Sequence, residues 1–202
     1  MKHYAILTTI KTTGLDVNTD SIIELSMACV DLNNQCEFIH KPFKHNLSWN
    51  KNKKHEICIP AVLKDNFTEK DVDGFEDPNE VVKQFLTWVE ELKQLLNVNT
   101  FWFCSFNEFT YKFFKNFLFD YLGTSEYFYN LFYTNDLRLQ DMSVIKIIQE
   151  FDITREFKKT RNNLYSVFCP TESNTKSNFG KDYFILKHIF NTNANKNSTN
   201  KS

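Results

Sequence analysis

The stretch that decides the fold is YAILTTIKTTGLDVNTDSIIELSMACVDL, residues 4–32. Its first part, YAILTT (4–9), is an apolar run typical of a buried strand. The β-branched and apolar segment SIIELSMACVD (21–31) predicts a second strand. A hairpin-type turn at LNNQ (32–35) then leads into a third strand over 36–43 (CEFIHKPF). Consecutive strands with such short links predict an antiparallel meander.

The segment after these strands is first polar and then helical in pattern. Residues 44–59 are rich in Lys and Asn and predict a long loop. Thr68-x-x-Asp71 resembles a capping box that opens a short helix. Asp77, followed by proline, is a second start signal, and apolar residues at three- and four-residue spacing predict a helix over 78–96.

The second half of the chain predicts one more strand among helices. TFWFCSF (100–106) is apolar on both faces and therefore predicts a central strand. Residues 107–123 predict a helix that stops at Gly123. The remaining expectations, in chain order, are an unassigned aromatic region over 124–140, a helix capped by Asp141 that ends near Phe151, a loop or insertion over 156–178, and a closing helix over 180–190.

This order of elements indicates one α/β domain with a mixed central sheet flanked by helices. The first three strands are expected to be antiparallel, and the later strand is expected to join by parallel crossovers. The domain is predicted over 1–190, and the low-complexity segment NTNANKNSTNKS (191–202) is predicted to be a disordered tail.

Composition limits the possible functions. The formal net charge is −1, so nucleic-acid binding would have to come from a local basic patch. The five cysteines form no CxxC pair, which predicts reduced thiols rather than a zinc site or a disulfide framework. Neither a signal peptide nor an apolar stretch long enough for a membrane span is recognised. The expected location is intracellular, in the cytoplasm or nucleus, without membrane association.

Several segments in a fixed order resemble a known family. They are KTTGL (11–15), DSIIELSMACVDL (20–32), CIPAVLKDNFTEKDVDGFEDPNEVVKQFLTWVEEL (58–92), FWFCSFNEFTYKFFKNFL (101–118), SVIKIIQEFDI (143–153) and SNFGKDYFILKHIF (177–190). Together, over residues 4–190, they resemble the DEDDh 3′–5′ exonucleases, and most closely the Eri-type group of enhanced RNAi and histone-mRNA 3′-end processing. The resemblance implies a ribonuclease-H-like exonuclease fold.

The same resemblance implies where catalytic residues would stand. Active members hold two Mg²⁺ with four carboxylates, and a histidine is the general base. The first strand supplies Asp-x-Glu, the helix after the fourth strand supplies Asp, and the last helix supplies His-x4-Asp. Aligned on this chain, these positions are Thr9, Lys11, Thr110, Ser177 and Asp182. One carboxylate of four remains, and the base is missing.

These losses predict a site without a metal cofactor and a catalytically inactive domain. We expect Lys11 and Asp182 to form an ion pair where the metal stands in active relatives; the alternative is that Lys11 extends into solvent. Asp16 and Asp20 are interpreted as turn acids and Glu108 as a first-turn helix acid, not as substitute ligands. The resemblance implies that Glu24 stands where active relatives also carry a non-catalytic Glu. The opposing hypothesis is an active 3′–5′ RNA exonuclease with displaced ligands, which would need Mg²⁺ or Mn²⁺.

Binding features are weaker. A basic loop with one tryptophan (44–56) and the segment FKKTRNN (157–163) have the mixture that suits single-stranded nucleic acid, although solvated loops have it too. The aromatic stretch EYFYNLFYT (126–134) suits either a protein interface or a cap on the core. Candidate nucleic-acid-binding residues are Lys11, Thr12, Thr13, Trp49, Lys51, Lys53 and Lys54.

The sequence thus predicts a pseudo-exonuclease that acts as an RNA-binding or protein-scaffolding module, with a protein partner and with RNA as a second partner. A role in small-RNA pathways or RNA processing follows from the resemblance only. A purely structural partner protein that binds no nucleic acid is a third hypothesis.

Overall fold

The computed structural model describes residues 3–48, 69–133, 136–151, 160–168, 175 and 177–199. One mixed sheet within these residues contains β1 (Tyr4–Thr12), β2 (Ile22–Asp31), β3 (Glu37–Phe38), β4 (Phe43–Asn46), β5 (Trp102–Ser105) and β6 (Leu137–Arg138). The helices are α1 (Glu69–Asp73), α2 (Pro78–Leu96), α3 (Glu108–Leu122), α4 (Glu126–Leu131), α5 (Leu139–Phe151), α6 (Arg161–Phe168) and α7 (Asn178–Thr199). The strand order is β3-β2-β1-β5-β6, and β4 also pairs with β2.

The antiparallel start of the sheet confirms the predicted meander, with one correction. β1 and β2 pair over their length, but within the third strand predicted over 36–43 only β3 and the first residue of β4 are strand. The rest of β4 lies in the segment predicted as a loop over 44–59, and both short strands pair with β2. Gln35 and Cys36 have φ of 52° and 54°, so the turn after β2 continues through Cys36 and β3 begins only at Glu37. Pro42, which has no backbone N–H to donate to a ladder, precedes β4.

The α2 helix has the predicted bounds, because its start and stop signals are local. The Asp77 side chain accepts a hydrogen bond from the Asn79 backbone N–H at 2.7 Å, and Pro78 follows at the first helical position. α3 likewise ends at Gly123, whose φ of 69° is the left-handed conformation of a C-cap. The short helix predicted after Thr68 is α1, while Thr68 itself lies outside the described residues.

The last third of the chain differs from the predictions in three places. α5 begins at Leu139, so Asp141 lies in its first turn and does not cap it. Part of the loop predicted over 156–178 is helix α6, which begins after Thr160. α7 continues beyond residue 190 to Thr199, where a disordered tail was predicted; no proline or glycine stands between 181 and 199 to end it.

Side chains of β1 alternate between two cores, one on each face of the sheet. Tyr4 and Ile6 pack in a core with α2, α3 and α4, whereas Ala5 and Leu7 pack in a second core with α6 and α7. Because side chains of a strand alternate with period two, Thr9 and Lys11 continue the face that α7 covers. This alternation places the end of β1 beside the start of α7.

Candidate functional site

The positions predicted by resemblance lie at the carboxyl ends of two neighbouring parallel strands and at the start of α7. Thr9 and Lys11 are near the end of β1, which pairs in parallel with β5. Thr110 is in the first turn of α3, the helix that follows β5. Asp182 is in the second turn of α7 and is fully buried, and Thr9 and Thr110 are also buried. This edge is where open α/β sheets place their ligands.

Asp182 is bound to an arginine that the sequence did not identify. Arg161 Nε donates to Asp182 Oδ1 at 2.6 Å, and Arg161 Nη2 donates to Oδ2 at 3.2 Å. The guanidinium also lies over the ring of Phe106, 4.5 Å from its centroid, directly after β5. Both carboxylate oxygens of Asp182, the one acid among the positions predicted by resemblance, are therefore bound by the Arg161 guanidinium.

Burial controls the charge of Asp182. The pKa of its carboxyl is raised from 3.8 to about 6, because desolvation by burial outweighs the lowering by the neighbouring Arg161 guanidinium. Arg161 therefore stabilises the ionised Asp182 carboxylate at neutral pH, in a low-dielectric core that disfavours an unpaired carboxylate.

Lys11 has a different partner from the one predicted. Its Nζ lies 3.2 Å from Glu24 Oε2, and the register places Lys11 directly opposite Glu24 on β2. The expected Lys11–Asp182 pair is therefore wrong: cross-strand neighbours are within reach of each other, and Asp182 is bonded to Arg161. The alternative of a solvent-extended lysine is also wrong, because the Lys11 side chain is only 24% exposed.

Ser177, which the resemblance aligns with a histidine base, caps the start of α7. Its Oγ accepts a hydrogen bond from the Gly180 backbone N–H at 3.0 Å, which satisfies one of the open donors at the start of α7. A serine hydroxyl used as a helix cap offers no group that titrates near neutral pH.

Polar side chains in the loop after β1 form hydrogen bonds to other residues of the same loop. Thr12 Oγ1 donates to Gly14 O at 2.6 Å, and Thr13 Oγ1 lies 3.3 Å from Asp20 Oδ1. Asp20 Oδ2 accepts from the Asp16 backbone N–H at 2.7 Å. A side chain at Gly14 would collide with the Asp20 carboxylate, so the tight loop requires glycine there.

The other acids near the site behave as turn or helix residues, as predicted. Asp16 Oδ1 accepts from the Asn18 backbone N–H at 2.8 Å in an Asx turn, and Glu108 pairs with Lys112 at 3.3 Å on α3. In the part of the chain that the structure describes, His, Cys, Asp and Glu side chains form no group of three or more suited to a metal. The described residues do not fit the two-metal centre that the resemblance implies, because hard divalent cations need several anionic oxygens.

The candidate nucleic-acid residues are not brought together in what the structure describes. Thr12 and Thr13 are buried, Lys11 is paired with Glu24, and the loop residues Trp49, Lys51, Lys53 and Lys54 lie outside the described residues. An RNA interface at these positions stays a prediction.

The aromatic stretch 126–134 serves the core and also reaches the surface. Phe128, Leu131 and Phe132 are buried, so part of the stretch caps the core as one alternative predicted. Tyr129 and Tyr133 are nearly half exposed. An interface role for these two side chains stays a prediction.

Across the described ranges, none of the helices is long and apolar enough to cross a membrane.

Comparison by sequence finds nothing, whereas comparison by structure finds nucleases. No protein-family model and no curated protein matches the sequence. The structure of the ExoI/SSB-Ct complex matches with a TM-score of 0.68 at 11% identity, over 99% of this chain and 44% of that chain. E. coli Exonuclease I in complex with a dT13 oligonucleotide matches with a TM-score of 0.67 at 12% identity, over 98% and 43%. Cell-death related nuclease 4 matches with a TM-score of 0.68 at 12% identity, over 94% and 64%.

These similarities establish the fold. The chain has the mixed α/β, ribonuclease-H-like architecture of these exonucleases, which confirms the predicted fold class. It spans less than half the length of the exonuclease I chains and 64% of cell-death related nuclease 4. At such identities the fold carries no activity with it, and function has to be argued from the site.

Proposed function

We propose that this chain is a pseudo-exonuclease: an exonuclease-like domain of Eri type that does not hydrolyse nucleic acid and acts as an RNA-binding or protein-scaffolding module in RNA processing. The single observation that supports it best is the bidentate Arg161–Asp182 pair. The proposal includes an intracellular location, a protein partner and no metal cofactor.

The electrostatics at the start of α7 oppose a divalent cation. A dication about 4 Å from the Arg161 guanidinium would be repelled by about 8 kcal/mol at an effective dielectric constant of about 20. Lys11 adds a second positive charge at the end of β1, although Glu24 offsets it. Of the four carboxylate positions that the resemblance implies, only Asp182 carries a negative charge here, and the Arg161 guanidinium neutralises that charge.

The second candidate, an active metal-dependent 3′–5′ RNA exonuclease with displaced ligands, requires other carboxylates to converge. Among the described residues, Asp20 holds the loop after β1 and Glu24 pairs with Lys11. Either acid would have to leave its partner to bind Mg²⁺ or Mn²⁺. The described contacts of these two acids give that arrangement no support over the first proposal.

The test is a time course of RNA trimming on single-stranded and 3′-overhang RNA with Mg²⁺ or Mn²⁺. The wild-type chain is compared with a restored variant (Thr9→Asp, Lys11→Glu, Thr110→Asp, Ser177→His) and with the same variant carrying Arg161→Gln. Mn²⁺ binding by calorimetry provides a second readout.

We expect no trimming by wild type, and Mn²⁺ binding only when Arg161→Gln accompanies the restored ligands, because the guanidinium otherwise keeps the Asp182 oxygens. Metal-dependent trimming by the wild-type chain that Glu24→Gln abolishes would instead establish the displaced-ligand enzyme.

A further inference from the structure

A groove runs along α3 beside the loop that follows β1. We call it the α3 groove; its lining includes Leu15, Val17, Phe109, Lys112, Lys115 and Phe119. It consists of two adjoining depressions of about 400 Å³ and about 430 Å³ that share Val17 and Lys112. Leu15 is 83% exposed and Phe119 is 49% exposed, so large apolar side chains stand at both ends.

The groove is built on fixed contacts. Asn116 Nδ2 on α3 donates to Val17 O at 3.1 Å and ties the loop to the helix. The Asp20 carboxylate holds the backbone of Asp16 at 2.7 Å, immediately after Leu15. Leu15 is therefore presented to solvent by an anchored loop, and a ligand would meet a surface that is already ordered.

Charge along the groove is uneven. The depression at the Lys115 end is lined by Lys112 and Lys115, and its described lining includes no carboxylate. Lys115 lies over the Tyr129 ring at 4.7 Å from the centroid and donates to the Tyr129 hydroxyl, a bond that raises the pKa of Lys115. The opposite depression includes Asp16, and Glu108 pairs with Lys112.

We infer that the α3 groove docks an acidic, apolar peptide segment of a protein partner, with its carboxylate at Lys115 and its apolar side chain between Leu15 and Phe109. This inference rests on the proposed function and deepens it, since it gives the scaffolding role a site and a partner chemistry. Apolar anchors beside a pre-positioned cation are the features by which such grooves select peptides.

Single-stranded RNA fits the groove less well than a peptide does. Non-specific binding of a single strand requires a continuous positive track and open aromatic faces for base stacking. Here Asp16 and Glu108 interrupt the track, and the Lys115 ammonium covers a face of Tyr129. A peptide with one or two carboxylates needs only the Lys115 end.

The test selects binders from a phage-displayed library of random dodecapeptides on the wild-type chain, with counter-selection on a Lys115→Glu, Phe119→Ser variant. We expect enrichment of sequences that combine Asp or Glu with Leu or Phe. Synthetic copies should bind wild type and lose about ten-fold or more in affinity on Lys115→Glu, and likewise on Leu15→Ser. Matched controls on α2, Lys83→Glu and Leu95→Ser, should bind as wild type does; both side chains are well exposed.

Three results would overturn the inference. They are no enrichment specific to wild type, enrichment of basic peptides, and affinity that is the same in the Lys115→Glu and Lys83→Glu variants. A labelled single-stranded RNA is titrated in parallel, and RNA binding that Lys115→Glu weakens would assign the groove to RNA instead. RNA trimming is assayed on the same samples. Trimming would contradict the proposed function and failure of peptide binding would contradict the docking site, so the two outcomes are measured separately.

Discussion

Replacing Arg161 by methionine should make stability strongly dependent on pH. Methionine keeps an unbranched apolar side chain over Phe106 but removes the guanidinium from the buried Asp182 carboxylate. An uncompensated buried charge costs about 3–5 kcal/mol when its partner is removed. The size of the loss at each pH follows from the pKa of Asp182.

The sign follows from the raised pKa of Asp182 in the folded chain. Since that pKa is about 6 and the ordinary value is 3.8, the carboxyl contributes stability below pH 3.8 that is lost as the pH rises through about 6. This rise in the pKa of Asp182 corresponds to a loss of about 3 kcal/mol in the free energy of unfolding. Without Arg161, which lowers this pKa, the loss continues above pH 6 at about 1.4 kcal/mol per pH unit. Arg161→Met should therefore cost little near pH 5 and about 3 kcal/mol near pH 8.

The assay is urea unfolding of wild type and Arg161→Met at about pH 5 and about pH 8. Arg138→Met is the matched control, because the Arg138–Asp136 pair at 2.9 Å is partly exposed and should contribute about 1 kcal/mol or less. Adding Asp182→Asn to Arg161→Met should remove most of the pH dependence. If Arg161→Met loses the same free energy at both pH values, or no more than Arg138→Met, the account of Asp182 as a buried acid held by Arg161 is refuted.

Two further predictions concern a helix cap and the buried thiols. Asp77→Ala should destabilise the chain by about 1 kcal/mol in urea unfolding, because the Asn79 N–H loses its cap; an unchanged midpoint would show that water replaces it. Burial raises the pKa of Cys29 and of Cys36 to about 12 and that of Cys104 well above its ordinary value, so iodoacetamide at about pH 8 should label these thiols only after unfolding. Peptide mapping that finds any of the three labelled in the native chain would contradict this.

Local signals predicted much of the fold. The strands of the opening meander followed from apolar runs, and α2 followed from Asp77-Pro78 and its apolar spacing. Gly123 ended α3 as expected. In each case the signal lies in a few neighbouring residues, which either satisfy the open backbone groups at a helix end or form one apolar face. The types of these residues are therefore informative without knowledge of the fold.

Elements that depend on distant contacts were missed. α6 lies in a segment with no clear periodicity, and its buried Leu164 and Phe168 become core residues only against α7. A signal existed in Thr160, whose Oγ1 accepts from the Asn163 backbone N–H at 3.3 Å as a helix cap does. The Lys11–Glu24 pair was also accessible in principle, because the meander and its register place the two residues opposite each other.

The sequence by itself determined the fold class, and through its resemblance to DEDDh exonucleases it predicted which positions of the site carry Thr9, Lys11, Thr110, Ser177 and Asp182. Only the tertiary structure decided how those residues are used. Arg161 is 21 residues from Asp182 along the chain, and the two meet because α6 and α7 pack together on one face of the sheet. Strand and helix patterns depend on near neighbours, whereas the partner of a buried charge depends on which distant side chain the packing brings within hydrogen-bond distance.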